Sequence, residues 1–466
     1  MMKKSIISSA LAVHLCAMAA SAISIPAVYA ADTFYVSNTP NEKGAYYKTQ
    51  PTSSELAIGH SAEKVPSTSA IAQWLPELMQ SFEKLPEVQS QIALKRQALI
   101  KVSAADNAVY NPELGLDYQY APDDDTYTVA VSQTIDWSDK RGAAIRVAQL
   151  ESEIVLTQIS TSRSQLLSQQ LLALVTLQQQ QKLLSFNQQQ FDLARAQLAL
   201  AEQRVEAGDI ALVELQLMRL DVANNAAELA IAEQALINAE TAAYSLYGSE
   251  SLPHIELMSL IDTNLSQEVD SRLPALKSFY QQVMLSKLSV GQLKAELAQD
   301  PSISLSAERE GSDNKFGVGI SIPLSIRNDY SDTLNSANES IVIAEQKYLA
   351  SERVLHQQWR QFNRGLPRLL DRYQDWIALV ELSGQEAAAS LSVQWQSGDI
   401  GTSEYLQSQR QMSSSVIAGL TLEASLYQQW LSWMGDSGQL EKVLLEQLTG
   451  QQQPAQFNPD NSQIKG

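Results

Sequence analysis

The sequence predicts a mostly α-helical, elongated fold with a small β portion, built from two copies of one unit. Three observations predict it. A long stretch of the chain repeats itself, each copy contains two short segments with alternating apolar residues, and each copy continues into a helix-forming stretch of more than 60 residues. Together they indicate tandem-duplicated long α-helical hairpins with two β-hairpins per chain.

The repeat covers most of the chain. NPELGLDYQYAPDDDTYTV, which begins at Asn111, aligns without a gap with DPSISLSAEREGSDNKFGV at Asp300, an offset of 189 residues. The offset is 190 at Gly208 and Gly398. An offset this constant indicates a tandem duplication, because chance matches would not keep one spacing. The predicted organisation is a segment 1–30, an N-terminal arm with the start of the first helix (31–84), a first unit (85–248), a linker or equatorial segment (249–272), a second unit (273–435) and a polar tail (436–466) with a disordered end.

Each unit contains one predicted β-hairpin. Apolar residues alternate with small or polar ones, which is the period of a strand with two different faces. The turn sequences PDDD and GSDN separate the paired segments. The predicted strands are about 113–121 and 126–135 in the first unit, and about 302–310 and 315–324 in the second. Strands of this length suit a tilted crossing of a bilayer, and a hairpin packed on helices in a soluble protein is the alternative.

Each hairpin continues into a long helix-forming stretch rich in Ala, Leu, Gln, Ser and Glu. The predicted long helices are about 143–206 and 331–396, the first of them roughly 96 Å long at 1.5 Å per residue. Each ends at a predicted tip turn, 207–210 or 397–400, and a shorter helix returns. Pro367 is expected to kink the second long helix. The low content of large apolar residues predicts thin layers of antiparallel coiled coil.

The number of strands predicts an oligomer. Four strands cannot enclose a lumen, and a sheet in lipid cannot leave its edges open. If the hairpins lie in a membrane, closure therefore needs other copies of the chain. Three chains supply twelve strands, so the expected assembly is a homotrimer with a 12-stranded barrel that continues into an α-helical tunnel.

The first 30 residues are predicted to be a secretory signal peptide. Lys3 and Lys4 precede an apolar stretch that ends at the small-residue site AVYA, and a membrane-anchor helix is the alternative. Cys16, the only cysteine, lies in this segment. Leu15 precedes it, where a lipoprotein signal requires a small residue, so no lipid anchor is expected. Without this segment neither disulfides nor thiolate metal sites are expected.

Charge and motifs exclude several classes of function. The formal net charge is −19, and it becomes −21 when Lys3 and Lys4 are removed, which argues against nucleic acid as a partner. The histidines are isolated, and there is no HExxH spacing, phosphate-binding loop or nucleophile elbow. We therefore expect no enzyme activity, no cofactor and no metal site.

Two further segments carry a family resemblance. VSQTIDWSDKRGAAIRVAQ (131–149) and GVGISIPLSIRNDYSDTLNSA (317–337) run from the second strand of each hairpin into the long helix. Both resemble strand-to-helix corners of the TolC-like outer-membrane efflux factors, in particular the CzcC-type branch of heavy-metal efflux systems. The chain departs from that branch at Ser325, where a proline is usual, and near Tyr330, where a glycine is common.

The resemblance implies a channel in the outer membrane of a Gram-negative bacterium, embedded in outer-membrane lipid and extended far into the periplasm. It implies a periplasmic adaptor (membrane fusion) protein and an inner-membrane RND-type pump as partners. The expected function is passive conduction of substrates, divalent heavy-metal cations among them, from the pump to the exterior. A TolC-like channel for drug efflux or type I protein secretion is the alternative. A periplasmic adaptor, which also has long helical hairpins, would not need the two β-hairpins.

The resemblance also assigns candidate site residues. Glu214 and Glu404, six residues after the tip glycines, are expected at the periplasmic aperture together with Trp395, and a solvated helix face is the alternative for both Glu residues. Some family members carry a basic latch residue where this chain has Ile400, so no such latch is expected.

The tip turns and the strands supply further candidates. Gly208, Asp209, Gly398 and Asp399 are expected to form tip turns that dock the adaptor, with each Asp either capping the next helix or acting directly in cation passage or docking. An aromatic girdle at a bilayer interface is expected from four residues, and ordinary strand composition is the alternative. These residues are Tyr118, Tyr120, Tyr127 and Phe316.

Overall fold

The computed structural model describes residues 71–248, 252–261, 269–324 and 326–450. All of them belong to one structural unit. The predicted signal peptide, residues 31–70 of the arm, the end of the tail and Ser325 lie outside the described residues. The elements are α1 (Ile71–Glu83), α2 (Pro86–Ala105), β1 (Glu113–Gln119), β2 (Thr126–Thr134), α3 (Lys140–Ala207), α4 (Leu212–Tyr247), α5 (Pro274–Leu297), β3 (Ser302–Glu310), β4 (Asp313–Ser321), α6 (Ser331–Ser397), α7 (Thr402–Asp436) and α8 (Leu440–Gly450), with a short 3-10 turn at Met258–Leu260.

The four strands form one antiparallel sheet in the order β1-β2-β3-β4. Directly paired residues alternate between two faces, because successive side chains of a strand point to opposite sides. One row across the sheet is Leu114, Val131, Leu305 and Val318, all exposed in the chain by itself. The adjacent row on the other face is Gly115, Ala130, Ser306 and Gly317. The sheet thus has one apolar face and one face of small and polar residues.

The long helices α3 and α6 have 68 and 67 residues. At 1.5 Å per residue each is roughly 100 Å long. Pro367 lies inside α6, which continues through it as one helix, and the expected kink stays a prediction. None of the helices in the described ranges is long and apolar enough to cross a membrane.

The helices pack as a thin layer. The helix α3 packs on α2 and α5 towards the sheet and on α4 and α7 towards its other end, while α6 packs on α5 and α7. Small and polar side chains such as Ala148, Ser152 and Ser168 are buried between them. Ser168 Oγ donates a hydrogen bond to the Leu431 carbonyl at 2.8 Å. Small buried residues allow close helix contacts without a thick core.

The main core lies where α1, α8 and the segment 252–261 cover the helical layer. Leu75, Leu78 and Phe82 of α1 are fully buried there, as are Leu440 and Leu444 of α8. The assignment of 436–466 to a polar tail was therefore wrong for 440–450, where a four-residue spacing of leucines creates an apolar helix face.

The second hairpin also differs from its prediction. Glu310 pairs with Asp313, so only Gly311 and Ser312 form the turn, and β4 begins two residues earlier than expected and ends at Ser321. Gly311 has φ 57°, which glycine tolerates without a steric penalty. The GSDN sequence therefore supplies two turn residues and two strand residues.

A buried ion pair joins the two hairpins at the end of the sheet that faces the helices. Asp300, just before β3, lies 3.0 Å from the Lys140 ammonium at the start of α3. Its carboxylate also accepts hydrogen bonds from the Ser138 hydroxyl at 2.7 Å and the Tyr110 hydroxyl at 2.9 Å. Burial alone would raise the pKa of Asp300, but these hydrogen bonds outweigh burial and lower the pKa to about 2.

Candidate functional site at the helical tips

Both long helices end in the same hydrogen-bonded turn. Gly208 and Gly398 have φ of 81° and 83°, the left-handed conformation that terminates many helices. Each glycine N–H returns to the carbonyl three residues earlier, and the following Asp N–H returns to the carbonyl five residues earlier. The bonds are Gly208 to Val205 (3.0 Å), Asp209 to Arg204 (2.8 Å), Gly398 to Trp395 (3.2 Å) and Asp399 to Gln394 (2.9 Å). The duplicated Gly-Asp pair therefore forms the same helix C-terminal turn in both units.

The capping role expected for Asp209 and Asp399 was wrong. The N-cap positions of α4 and α7 are Ala211 and Gly401, and neither helix start has a side-chain capping bond. Each Asp lies two residues before the N-cap, because its backbone N–H still closes the preceding helix. The Asp399 carboxylate instead accepts a hydrogen bond from Ser397 Oγ at 2.7 Å.

Trp395 does not line an aperture, contrary to the prediction. It is 1% exposed and lies in a small core with Ala201, Leu215, Met218 and Leu406. Its ring stacks on Tyr405, with centroids 5.0 Å apart and an interplanar angle of 25°. The indole faces the chain interior because it lies on the side of α6 that contacts α7. Trp395 therefore holds the two tips together.

Arg204 and Thr402 are tip residues that the sequence analysis missed. Arg204 donates a hydrogen bond from its guanidinium to the Trp395 carbonyl at 2.8 Å, and its guanidinium carbon lies 5.5 Å from the Trp395 ring centroid. A cation at this place is favourable because helix C-termini carry partial negative charge. Gln394 occupies the equivalent position in the second unit. This difference between the two repeats was the sequence signal that could have marked Arg204 as a tip residue.

The two candidate aperture carboxylates have different surroundings. Glu214 is half-buried and accepts a 2.7 Å hydrogen bond from the Thr402 hydroxyl, which in turn accepts one from the Trp395 indole at 3.2 Å. Glu404 is exposed, and Leu212 occupies the position in the first unit that corresponds to Thr402. Both Glu residues lie in the first turn of a helix, where negative charge is favourable. Glu404 is therefore the more exposed of the two residues.

A second polar link joins the two returning helices above the tips. Asp221 of α4 lies 3.4 Å from the guanidinium of Arg410 in α7, and the Asn225 amide donates to its carboxylate at 3.1 Å. Burial raises the pKa of Asp221, and attraction to Arg410 offsets part of that rise. The pair ties the first unit to the second about two helical turns from the tip.

Within the described part of the chain, no group of three or more His, Cys, Asp or Glu side chains could hold a metal ion. His254 lies 3.1 Å from the amide of Gln178, an ordinary structural contact.

Three of the candidate girdle residues, Tyr118, Tyr127 and Phe316, lie on the apolar face of the sheet. Tyr118 and Tyr127 are directly paired, and their ring centroids are 5.1 Å apart. Phe316 pairs with Ala307, one row nearer the middle of the sheet, and Tyr120 follows β1 near the turn. Trp137, exposed after β2 at the opposite end of the sheet, was missed by the sequence analysis. The girdle role stays a prediction.

Comparison with known proteins places the fold. The chain is similar to the OprN outer-membrane channel, with a TM-score of 0.65 and 16% identity over 78% of this chain and 89% of that one. It is equally similar to the Campylobacter jejuni CmeC outer membrane channel, with a TM-score of 0.65 and 13% identity over 80% and 89% of the two chains. The chain has the fold of outer-membrane channels.

The outer membrane protein VceC of Vibrio cholerae matches with a TM-score of 0.61 and 16% identity over 79% of this chain and 95% of that one. In sequence, the chain is 23% identical over 312 residues to the cobalt-zinc-cadmium resistance protein CzcC of Cupriavidus metallidurans, covering 65% of this chain and 75% of that protein. No protein-family profile matches the chain. The predicted resemblance to the TolC-like outer-membrane efflux factors and their CzcC-type branch is confirmed.

Proposed function

We propose that this outer-membrane efflux-channel chain forms a homotrimer and serves as the outer-membrane component of a tripartite efflux system. In this role it conducts substrates passively from a periplasmic adaptor and an inner-membrane RND-type pump to the exterior. The protein lies in the outer membrane of a Gram-negative bacterium, with α3, α4, α6 and α7 extending into the periplasm. It is a conduit rather than an enzyme.

One observation carries this proposal: a four-stranded sheet with an exposed apolar face and a polar opposite face, joined directly to helices of about 100 Å. The apolar face suits lipid and the polar face suits a water-filled lumen. Within the described residues the outer edges of β1 and β4 are free, and such edges need partners in lipid. Three copies supply twelve strands, a number that encloses an aqueous channel.

Divalent cobalt, zinc and cadmium are the substrates we favour, because the sequence relative is a resistance protein for these metals. Deleting the gene is expected to reduce growth in the presence of these metals, and expression of the intact chain from a plasmid is expected to restore it. Sensitivity to drugs with unchanged metal tolerance would favour drug efflux. A secreted protein retained in the cell would favour type I secretion. A chain found outside the outer-membrane fraction would contradict the proposal.

If the apolar face of the sheet contacts lipid, a charged substitution on that face should disturb assembly more than one at the neighbouring residue on the polar face. Val129 lies on the apolar face between Leu116 and Ala307, so Val129→Lys is expected to lower the amount of assembled trimer in the outer membrane sharply. A lysine on the lipid face costs about 2–4 kcal/mol near the bilayer midplane. The fraction of heat-resistant trimer in isolated outer membranes measures the effect.

Thr128→Lys is the matched control. Thr128 lies on the polar face between Asp117 and Glu308, where a lysine meets two carboxylates. This variant is expected to assemble normally. Equal loss of trimer in both variants would contradict the assignment of the apolar face to lipid.

The tip geometry predicts different contributions of Glu214 and Glu404 to the cation preference of the channel. Glu404→Gln is expected to reduce the cation preference of the reconstituted channel more than Glu214→Gln, because Glu214 is half-buried and bound by Thr402 while Glu404 is exposed. Three exposed carboxylates around one opening raise the local concentration of cations. Reversal potentials in a salt gradient measure the preference. An equal or larger change for Glu214→Gln would contradict the different roles.

A further inference from the structure

The edges of the sheet raise the question of how one copy pairs with the next. Among the described residues, β1 and β4 are the outer strands of the sheet, and each has one edge that no other described strand pairs with. Both outer strands are joined directly to the helical layer, since α2 leads into β1 and β4 leads into α6. The following inference rests on the proposed trimer. If three copies close one barrel, the duplication within the chain specifies which residues of β4 and β1 meet at each subunit boundary.

The two hairpins have the same internal register. Leu114 pairs with Val131 in the first, and Ile303 pairs with Ile320 in the second, each number larger by 189. Likewise the pair of Tyr118 and Tyr127 corresponds to the pair of Ala307 and Phe316. The chain therefore contains two equivalent hairpins, related by the same offset that the sequence shows.

The contact between β2 and β3 is a contact between successive repeats. In it Val129 pairs with Ala307, Val131 with Leu305 and Ser132 with Ser304. In a closed ring of repeats, β4 of one copy meets β1 of the next just as β2 meets β3 within a chain. Adding 189 to the β2 residue and subtracting 189 from the β3 residue converts one contact into the other.

We propose that β4 pairs with β1 of the partner subunit in this register. Val318 then lies opposite Tyr118 of the partner subunit, and Ile320 lies opposite Leu116 of the partner subunit. On the polar face, Ser321 lies opposite Gly115 of the partner subunit. Every apolar residue meets an apolar residue, so the lipid face continues across the junction. A slip by one residue would turn one strand's apolar side chains towards the lumen.

The internal register also sets the tilt of the strands. Leu305, not the equivalent residue Ile303, lies level with Leu114 across β2, so each repeat is staggered by two residues relative to the previous one. Two residues of about 3.4 Å over two strand spacings of about 4.8 Å correspond to a tilt of roughly 35°. Membrane barrels have tilts of about 35–45°. A slip of two residues at the junction would keep the faces but change this stagger at every subunit boundary.

Disulfide cross-linking tests the register. The variant Cys16→Ser provides a background without cysteine, and Tyr118→Cys with Val318→Cys places one thiol on each free edge. Within one chain these positions are three strand spacings apart, about 14 Å, too far for a disulfide. Mild oxidation of outer membranes is therefore expected to link neighbouring chains into covalent dimers and trimers on non-reducing gels.

Two slipped pairs are the matched controls, Val318→Cys with Leu116→Cys and Val318→Cys with Tyr120→Cys. Directly opposite residues have Cβ atoms about 4.5–5.5 Å apart and diagonal ones about 7–8 Å, so the cross-linking yield is expected to be on the order of tenfold lower. Gly115→Cys with Ser321→Cys repeats the test on the polar face and is expected to cross-link as efficiently as the first pair.

The outcomes distinguish a wrong register from a wrong trimer. Strongest cross-linking in a slipped pair, or a trimeric protein in which none of the pairs cross-links, would overturn the proposed register while the proposed function stands. A protein that is monomeric in the outer membrane would overturn both. Channel conductance of each variant after reduction shows that the substituted chains are folded.

Discussion

Trp395→Ala is expected to increase amide hydrogen exchange across both tip turns by about 100- to 4,000-fold. Trp395 is fully buried, stacks on Tyr405 and donates its indole N–H to Thr402. Removing a buried tryptophan side chain costs about 3–5 kcal/mol, and each 1.4 kcal/mol is a factor of ten in an opening equilibrium. The tip core is small and separate from the main core. The loss should therefore stay local, and hydrogen exchange with mass spectrometry resolves it from the rest of the chain.

Two variants calibrate this effect. Val393→Ala changes an exposed residue two positions away on the same helix and is expected to alter exchange by less than about threefold. Trp395→Phe keeps an aromatic ring on Tyr405 but removes the bond to Thr402, and an intermediate increase is expected. If Trp395→Ala left exchange at the tips unchanged, Trp395 would not be the residue that holds the two tips together.

Asp300→Asn is expected to destabilise the protein by about 2–4 kcal/mol at pH 7 in urea unfolding of the detergent-solubilised protein. The Asp300 side chain is 2% exposed and the Lys140 side chain 14% exposed, so the variant leaves a largely buried ammonium without its counter-charge. Burial alone would lower the pKa of Lys140, but hydrogen bonds to Tyr110 and Asp300 outweigh it and raise that pKa. The effect should lie at the junction of the sheet and the helices, because the pair joins the two hairpins there.

The same residue predicts a pH dependence. The folded pKa of Asp300, about 2, lies below the ordinary value of an aspartate. The carboxylate therefore contributes roughly 2.5 kcal/mol above pH 4, and this contribution is lost as the pH falls from about 4 to about 2. The wild-type chain is expected to lose more stability than Asp300→Asn between pH 5 and pH 2.5.

Asp106→Asn is the matched control for both measurements. Asp106 also pairs with a basic residue near the sheet, Arg141 at 2.7 Å, but both side chains are at least half exposed. Exposed pairs contribute about 0–1 kcal/mol. A larger effect for Asp106→Asn than for Asp300→Asn would contradict the role assigned to the buried pair.

Much of the strand and helix pattern is predictable because local signals agree with it. Alternation at Tyr127, Val129 and Val131 marks β2, and Gly208 and Gly398 mark the ends of α3 and α6. The helix α8, which the sequence analysis missed, is short and begins within polar sequence, so its leucine spacing alone did not distinguish it from a polar tail.

The side-chain chemistry of the tips is much less predictable. Trp395, Thr402 and Glu214 form one hydrogen-bonded chain, although Glu214 is almost 190 residues away from the other two. The family resemblance implied the same role for Glu214 and Glu404, because neither the resemblance nor the sequence shows that Thr402 binds only Glu214. Asp209 and Asp399 were expected either to cap the next helix or to act in cation passage or docking. The capping alternative is wrong because each next helix has its N-cap two residues further on, at Ala211 and Gly401.

The mass and conductance of the purified protein test whether the chain forms a trimeric channel. The chain has a mass of 51.3 kDa, so we expect a particle of three chains in detergent and stable single-channel conductance in a planar bilayer. Removal of the predicted signal peptide would lower each chain by about 3 kDa, at roughly 0.11 kDa per residue, without changing the ratio. A particle of one or two chains, or a trimer that leaves the bilayer impermeable with the adaptor and pump bound, would contradict the trimeric channel.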